Sequence, residues 1–370
     1  MENDHELLYR LAITFLPHVG PVNARALINH CGSAEAVFRE KKRLLARIPG
    51  MGMKRVSVAF SEPVLPRAEK ELAFVRRHNI NVLFFTDEGY PHRLLNCNDA
   101  PPLIYYKGKA DLNGGRNLAV VGTRSATPYG EQMTRQLIEG LSSHAVCIVS
   151  GLAYGIDICA HIAALDYGLP TVGVTAHGLD RIYPHAHRHV AGRMVDAGGL
   201  LTEYPSGTVP DRENFPSRNR VVAGLADAVV IVEASGKGGA LITADLASGY
   251  HRDVFAIPGR VGDPFSKGCN DYIRENKAAL ITGAEDLLWM MGWKEQQPAP
   301  PQARQASLFV EIDDNGKKVL SLFTGQQELP WDVILHGMQL PSSRLSSVLL
   351  DLELKGILKV LPGRRYKLLI

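Results

Sequence analysis

The sequence predicts an α/β protein built on an extended Rossmann-like, doubly wound, mostly parallel sheet. A helical domain of the helix-hairpin-helix (SAM-like) kind is expected before it and a winged helix after it. Three observations carry this reading. Short, continuously apolar runs recur between residues 117 and 257 with helical patterns between them. Such runs suit strands covered on both faces, and their alternation with helices suits a parallel sheet. Residues 1–66 read as short helices joined by glycine turns, and residues 313–370 as a small separate module. The domain limits expected are therefore 1–66, 67–295 and 313–370. A proline- and glutamine-rich linker with little capacity to pack spans 296–312, its core being QQPAPPQARQ.

In the central block the candidate strands are Asn117–Val121, Ala145–Val149, Pro170–Val174, Leu200–Glu203, Ala228–Val232 and Asp253–Ile257. The helix after the first of them starts at Thr127-Pro128, a cap residue followed by a first-turn proline, and buries Met133, Leu137, Ile138 and Leu141. Ligands of doubly wound sheets bind beyond the C-terminal ends of the strands. Those ends carry Gly122-Thr123-Arg124, Ser150-Gly151, Thr175–Gly178, Glu203–Ser206 and Glu233–Gly239, so polar and glycine residues gather along one edge.

Two segments of the N-terminal region, Leu16–Ile28 and Ile48–Arg55 (IPGMGMKR), have the apolar–glycine–apolar spacing of helix-hairpin-helix units. Their glycine turns either offer amides to a nucleic-acid phosphate or simply let two helices turn tightly in a bundle. At the other end, helices are expected over Lys318–Phe323, Trp331–Met338 and from Pro341-Ser342-Ser343 onward. The last buries Leu345, Val348, Leu349 and Leu352 on one stripe and ends at Gly356. Ile357–Val360 and Arg365–Leu369 then form a two-stranded wing across Pro362-Gly363. Arg344, Lys355, Arg364, Arg365 and Lys367 could meet a duplex, but the module's net charge is only +2, from eight basic and six acidic residues, and its third helix exposes Asp351 and Glu353. A protein-contact or accessory role is favoured over duplex binding.

The 41 basic and 38 acidic residues nearly cancel, so nucleic-acid affinity must come from clustering. Five scattered cysteines without a CxxC pair argue for a reducing compartment, against a disulfide framework and against a zinc site. Neither a signal region nor an apolar run of membrane length is present, which points to a cytoplasmic, soluble protein.

The densest candidate site runs from Asn214 to Gly259. Arg218 and Arg220 open a helix and diverge by about 200° around it. After the strand that follows, the glycine turn Gly236–Gly239 opens another helix and carries Lys237. Guanidinium groups, bare amides of Gly238 and Gly239 and a lysine make a place for phosphates. Arg124 in the turn Gly122-Thr123-Arg124 fits an external phosphate. The turn Ser150-Gly151 adds amides, and Arg188, with Arg181, Arg193 and the histidines at 185, 187 and 189, adds positive or donor character. Phe215, Tyr183 and Tyr204 are close enough in sequence to stack on bases, although each also suits a core. Asp157 and His161, one helical turn apart, read as a helix-start carboxylate and a packed polar residue.

The motifs of nucleotide enzymes are missing. There is neither G-x-G-x-x-G with an acidic partner nor G-x-x-x-x-G-K-[ST], so hydride transfer and ATP-driven work are disfavoured, and no cofactor, metal or catalytic residue is expected.

Assembled, VGTRSATPYG, SGLAYGIDICAHIAAL, HGLDRIYP, TEYPSGTVPDRENFPSRNRVVAGLADAVVIVEAS, GALITADLA, DVFAIPG and SKGCNDYIRENKAALI resemble the DNA-processing protein A (DprA/Smf) family, in family order. The resemblance implies non-enzymatic binding and protection of single-stranded DNA on the Rossmann-like domain. It also implies homodimerisation through that domain and loading of the RecA recombinase during natural transformation (competence). It maps the family's phosphate pocket to Gly122, Thr123 and Arg124, and its FPxRN segment to Arg218, Asn219 and Arg220. The chain departs from the pattern at His187, where Asn is usual, and at Gly238-Gly239-Ala240. Two alternatives stay open: a nucleotide phosphoribohydrolase-like enzyme relying on Asp245, and a duplex-DNA regulator acting through the winged helix.

Overall fold

The computed structural model describes residues 4–294, 312–323, 327–361 and 363–369. Gln296–Gln305 of the expected linker and Pro362 of the expected wing turn lie outside the described residues. The chain divides into two compact units, Met1–Lys294 and Glu295–Ile370.

The first unit opens with helices α1 (Asp4–Thr14), α2 (Pro21–Cys31), α3 (Ala34–Arg39), α4 (Lys42–Leu45), α5 (Gly52–Ala59) and α6 (Leu65–Arg77). Then come β1 (Asn81–Phe84), α7 (His92–Leu95), β2 (Leu103–Gly108), β3 (Arg116–Val121), α8 (Pro128–Gly140), β4 (Val146–Gly151), α9 (Ile156–Asp166) and β5 (Thr171–Val174). The chain continues through α10 (Arg188–Ala197), β6 (Gly199–Thr202), α11 (Asn214–Leu225), β7 (Ala228–Ile231), α12 (Gly239–Gly249) and β8 (Asp253–Ala256). It closes with α13 (Lys267–Arg274), β9 (Ala279–Leu280) and α14 (Ala284–Met290).

The nine strands form one sheet in the order β1-β2-β6-β5-β4-β3-β7-β8-β9. Each of the six apolar runs is a strand, its ends shifted by a residue or two, and from β6 to β9 neighbours run parallel. The sequence reading did not include β1, β2 or β9. The first two pair antiparallel with each other and with β6, outside the strand–helix alternation that signals a parallel sheet. β9 is two exposed residues and leaves no apolar run to see.

Strand alternation divides the core. Leu118 and Val120 point to one face, with Ile148, Val230 and the buried sides of α8, α9 and α14. Ala119 and Val121 point to the other, with Val149, Val229, Ile231 and the buried sides of α11 and α12. α1 to α6 share this second core at the antiparallel end. They are also fastened to the sheet's upper loops, because the buried Glu71 carboxylate accepts from the Ser206 amide (2.9 Å) and hydroxyl and pairs with Arg67 (2.9 Å). No helix among the described residues is long and apolar enough to cross a membrane.

The second unit runs α15 (Asp314–Ser321), β10 (Glu328–Pro330), α16 (Trp331–Met338), α17 (Ser342–Leu354), β11 (Leu358–Leu361) and β12 (Arg365–Leu368). Its three strands form an antiparallel sheet ordered β10-β12-β11. Leu345, Leu349 and Leu352 of α17 are buried in its core and Val348 partly so, as the stripe in the sequence predicts. The short edge strand β10 is an addition to the sequence reading.

Candidate functional site

Chain order in the sheet reverses beside β3: β3 leads through α8 to β4 on one side, and β7 leads through α12 to β8 on the other. Ligands of doubly wound sheets sit at this crevice. In this protein it is a cavity of about 180 Å³ walled by the segments that follow β3, β4 and β7 and by the start of α11.

The turn after β3 is stitched in place by the backbone. The Thr123 amide donates to the Glu233 carbonyl (2.7 Å), and the Ile156 amide donates to the Thr123 carbonyl (3.1 Å). Gly155 makes that second crossing possible. Its φ is +76°, and a Cβ there would stand 2.2 Å from the Thr123 oxygen. Thr127 caps α8, accepting from the Gly130 amide (3.2 Å), while its own amide (3.0 Å) and hydroxyl donate to the buried Glu233 carboxylate. A carboxylate at a helix start is favourable, and here it also fixes the turn that presents Arg124.

Arg218 rises from α11 into the cavity floor and is only 4% exposed. Its Nη1 donates to the Val174 carbonyl (2.8 Å), but its Nε is buried without a partner. A buried donor left unsatisfied costs about 1–3 kcal/mol. Arg218 and Asp157, the latter from the first turn of α9, converge over Gly151. A Cβ on Gly151 would lie 1.8 Å from Arg218 Nη1 and 2.5 Å from Asp157 Oδ2. Burial lowers the pKa of the Arg218 guanidinium, and Asp157 opposes this. Burial likewise pushes the Asp157 carboxyl above its ordinary value, against Arg218, the Ser150 hydroxyl, the Ala153 amide and Arg124.

Arg124 lines the same cavity and lies over the Phe215 ring at 4.8 Å. Both arginines continue into a neighbouring hollow bounded by Tyr154, Tyr183 and Phe215. Tyr154 and Tyr183 are half exposed there, at 50% and 48%. The Asn219 side-chain amide donates to the Gly239 carbonyl (3.3 Å), joining α11 to the start of α12.

The structure thus gathers Gly122, Thr123, Arg124, Gly151, Arg218, Asn219, Gly238 and Gly239 around one cavity. Four other candidates stand elsewhere. Ser150 is buried in the sheet, its hydroxyl donating to the Val120 carbonyl (2.6 Å). Arg220 leaves α11 on a different side from Arg218, as its spacing requires, and is engaged by the Glu203 carboxylate and the Asp99 carbonyl. Lys237 and Arg188 are exposed and outside the cavity wall, Lys237 on the glycine turn and Arg188 at the start of α10. Of the three aromatics, Phe215 and Tyr183 border the hollow, whereas the Tyr204 hydroxyl donates to the Asn214 carbonyl (3.3 Å). His187 is buried, its Nδ1 donating to the Leu152 carbonyl (3.1 Å).

Asp157 is the cavity residue that sequence reasoning assigned elsewhere. At the start of a helix a carboxylate needs no further explanation, and only the β4–α9 turn over Gly151 brings it to Arg218. His161, one turn later, is fully buried between the Thr171 hydroxyl (2.7 Å) and the Gly151 carbonyl (2.8 Å). A carbonyl can only accept, so Nε2 carries the proton and Nδ1 accepts from Thr171. Burial pulls His161 down to about 4. The unfolded chain therefore binds a proton between about pH 6.5 and pH 4 that the folded chain does not. Stability is retained above that window and falls by on the order of 3 kcal/mol across it. Chemical denaturation at several pH values should show a His161→Gln variant lacking this share of the acid sensitivity.

Fold and cavity together define a doubly wound α/β protein with a guanidinium- and glycine-lined cavity at its switch point. The family model of DNA recombination-mediator protein A matches residues 81–292, the whole block that builds this cavity. Protein Smf of Synechocystis is 32% identical, with 98% of each chain covered. DNA processing protein DprA of Streptococcus pneumoniae is 43% identical over 55% of this chain and 71% of its own. The X-ray structure of the S. pneumoniae protein superposes with a TM-score of 0.65 at 34% identity, covering 76% of this chain and 97% of that one. A structure of DNA processing protein A from Helicobacter pylori, concerned with that protein's single-stranded DNA binding mode, superposes at 0.52 with 31% identity, over 57% of this chain and 95% of that one. The chain belongs to the DNA recombination-mediator protein A family.

Proposed function

We propose that this protein binds single-stranded DNA along the cavity rim, releases it chemically unchanged, and acts as a mediator that protects the strand and passes it to a RecA-type recombinase. One observation carries the binding step: the buried, half-satisfied guanidinium of Arg218, aimed into a switch-point cavity. A phosphate entering the cavity would meet the charged, forked guanidinium that lines it. Arg124, the amide of Gly239 at the start of α12, and the aromatics Phe215 and Tyr183 extend that grip to the next phosphates and bases, whereas the Gly238 amide donates to the Ser235 carbonyl (3.2 Å). The binding mode described for the H. pylori relative supports the same ligand here.

Homodimerisation through this domain is part of the reading. Leu280 on the last strand of the sheet, with Trp289 and Met290 just beyond it, leaves apolar surface exposed that a second copy would cover. The two glycine turns before α2 and α5 keep their reading as helix-hairpin-helix units. The helix–strand–helix–helix–strand–strand order of the second unit supports a winged helix. On α17, Leu350 and Leu354 are exposed and Asp351 pairs with Lys355 at 2.6 Å, which suits a protein partner better than a duplex. The hydrolase alternative gains nothing from Asp245, whose carboxylate accepts from the Tyr272 hydroxyl (2.8 Å) outside the cavity wall.

The test is a titration of single- and double-stranded oligonucleotides at two salt concentrations. Single strands should bind more tightly, with affinity falling steeply as salt rises through counterion release. Residues 1–294, which carry all the cores of the first unit, should retain most of that binding. Loss of binding on removing residues 306–370 would favour the duplex regulator instead.

A further inference from the structure

Three charged side chains line the cavity: Arg124, Arg218 and Asp157. Asp157 is 8% exposed and shares the space over Gly151 with Arg218. An arginine keeps its proton in a protein, so a neutral Asp157 would leave the buried Arg218 without a counter-charge, a costly arrangement. With Asp157 ionised, the cavity presents a net charge of one positive unit rather than two.

Ligand attraction to that net charge grows in proportion to ligand charge, whereas the cost of stripping water from an ion grows with the square of its charge. A phosphodiester inside a nucleic-acid chain carries one negative charge. A terminal phosphate or a free mononucleotide carries nearly two above its second pKa of about 6. We propose that Asp157 is a specificity residue that matches the cavity to singly charged phosphodiesters and turns away doubly charged phosphomonoesters. The protein would then hold polymer internally along its length while ignoring free nucleotides and strand ends. This inference rests on the reading that the cavity holds a DNA phosphate.

The experiment uses the full chain and two competitors that differ by a single methyl group and a single charge: thymidine 5′-monophosphate and its methyl ester. Each displaces a fluorescent oligothymidylate lacking terminal phosphates, at about pH 8, where the monoester is doubly charged. In the natural protein the methyl ester should compete better by on the order of fivefold, the effect of a unit charge about 5 Å away in a wet site. Asp157→Asn, which keeps the side chain's size, should erase or reverse that preference.

The same preference in both proteins would overturn the proposal, as would equal weakening of both competitors or a natural protein that favours the doubly charged ligand. Failure of the methyl ester to displace the oligonucleotide would overturn it too. If Asp157→Asn does not fold, the preference of the natural protein decides alone. Failure of the oligonucleotide itself to bind, or full binding by Arg124→Ala, would instead defeat the single-strand reading.

Discussion

Arg218→Ala is expected to weaken single-stranded oligonucleotide binding by about 30-fold or more, the largest loss from any single side chain. Hydrogen bonds to charged groups contribute about 1.5–3 kcal/mol each, and the Arg218 guanidinium is buried where bulk water competes little. The same change removes the cation that opposes the effect of burial on the Asp157 carboxyl. The variant should therefore also unfold at lower denaturant. Arg218→Lys separates the two effects. An ammonium can still face Asp157 and the Val174 carbonyl, but it lacks the planar fork that spans them and a phosphate together. Fluorescence anisotropy beside denaturation should find the lysine variant nearly normal in stability and still poor in binding. Undiminished affinity in Arg218→Ala would place the DNA elsewhere on the molecule.

Gly151→Ala should act almost as strongly through a single methyl group. The new carbon would stand 1.8 Å from Arg218 Nη1 and 2.5 Å from Asp157 Oδ2, so both side-chain ends would have to leave the positions they hold over Gly151. Overpacking of this kind costs about 1–3 kcal/mol, and displacement of Arg218 should lower oligonucleotide affinity at least about tenfold. Gly239→Ala is the matching control. It also borders the cavity, but a Cβ there meets nothing within 4 Å. Its stability should be unchanged and its binding only mildly reduced. Equal behaviour of the two variants, measured by thermal melts and anisotropy, would remove the steric argument.

Much of this architecture was legible because parallel strands buried on both faces write themselves as continuous apolar runs. Asn117–Val121 and Ala228–Val232 could be read that way, and their neighbouring glycine turns located the functional edge. β1 and β2 escaped because their antiparallel pairing lies outside the alternation of strand and helix. At the site, the residue types were visible but their directions were not. Arg218 and Arg220 look equivalent in FPSRNR, yet one enters the cavity and the other is engaged by Glu203. Helical spacing announces that the two must part; which of them faces the ligand depends on how α11 lies against β3, β4 and β5, and that is a tertiary fact. Asp157 shows the converse case, a residue whose local role was sufficient to hide its second one.

The side of α11 that carries Arg218 also carries Val221 and Val222 into the interior, both about 1% exposed. The backbone that carries the guanidinium is thus fixed by a tightly packed core, and the guanidinium itself is buried, unlike a surface lysine. A strand held there has to peel off a stationary anchor. Dwell time should then follow how readily a neighbouring recombinase or a competing counterion lifts the polymer away, rather than any opening and closing of the protein.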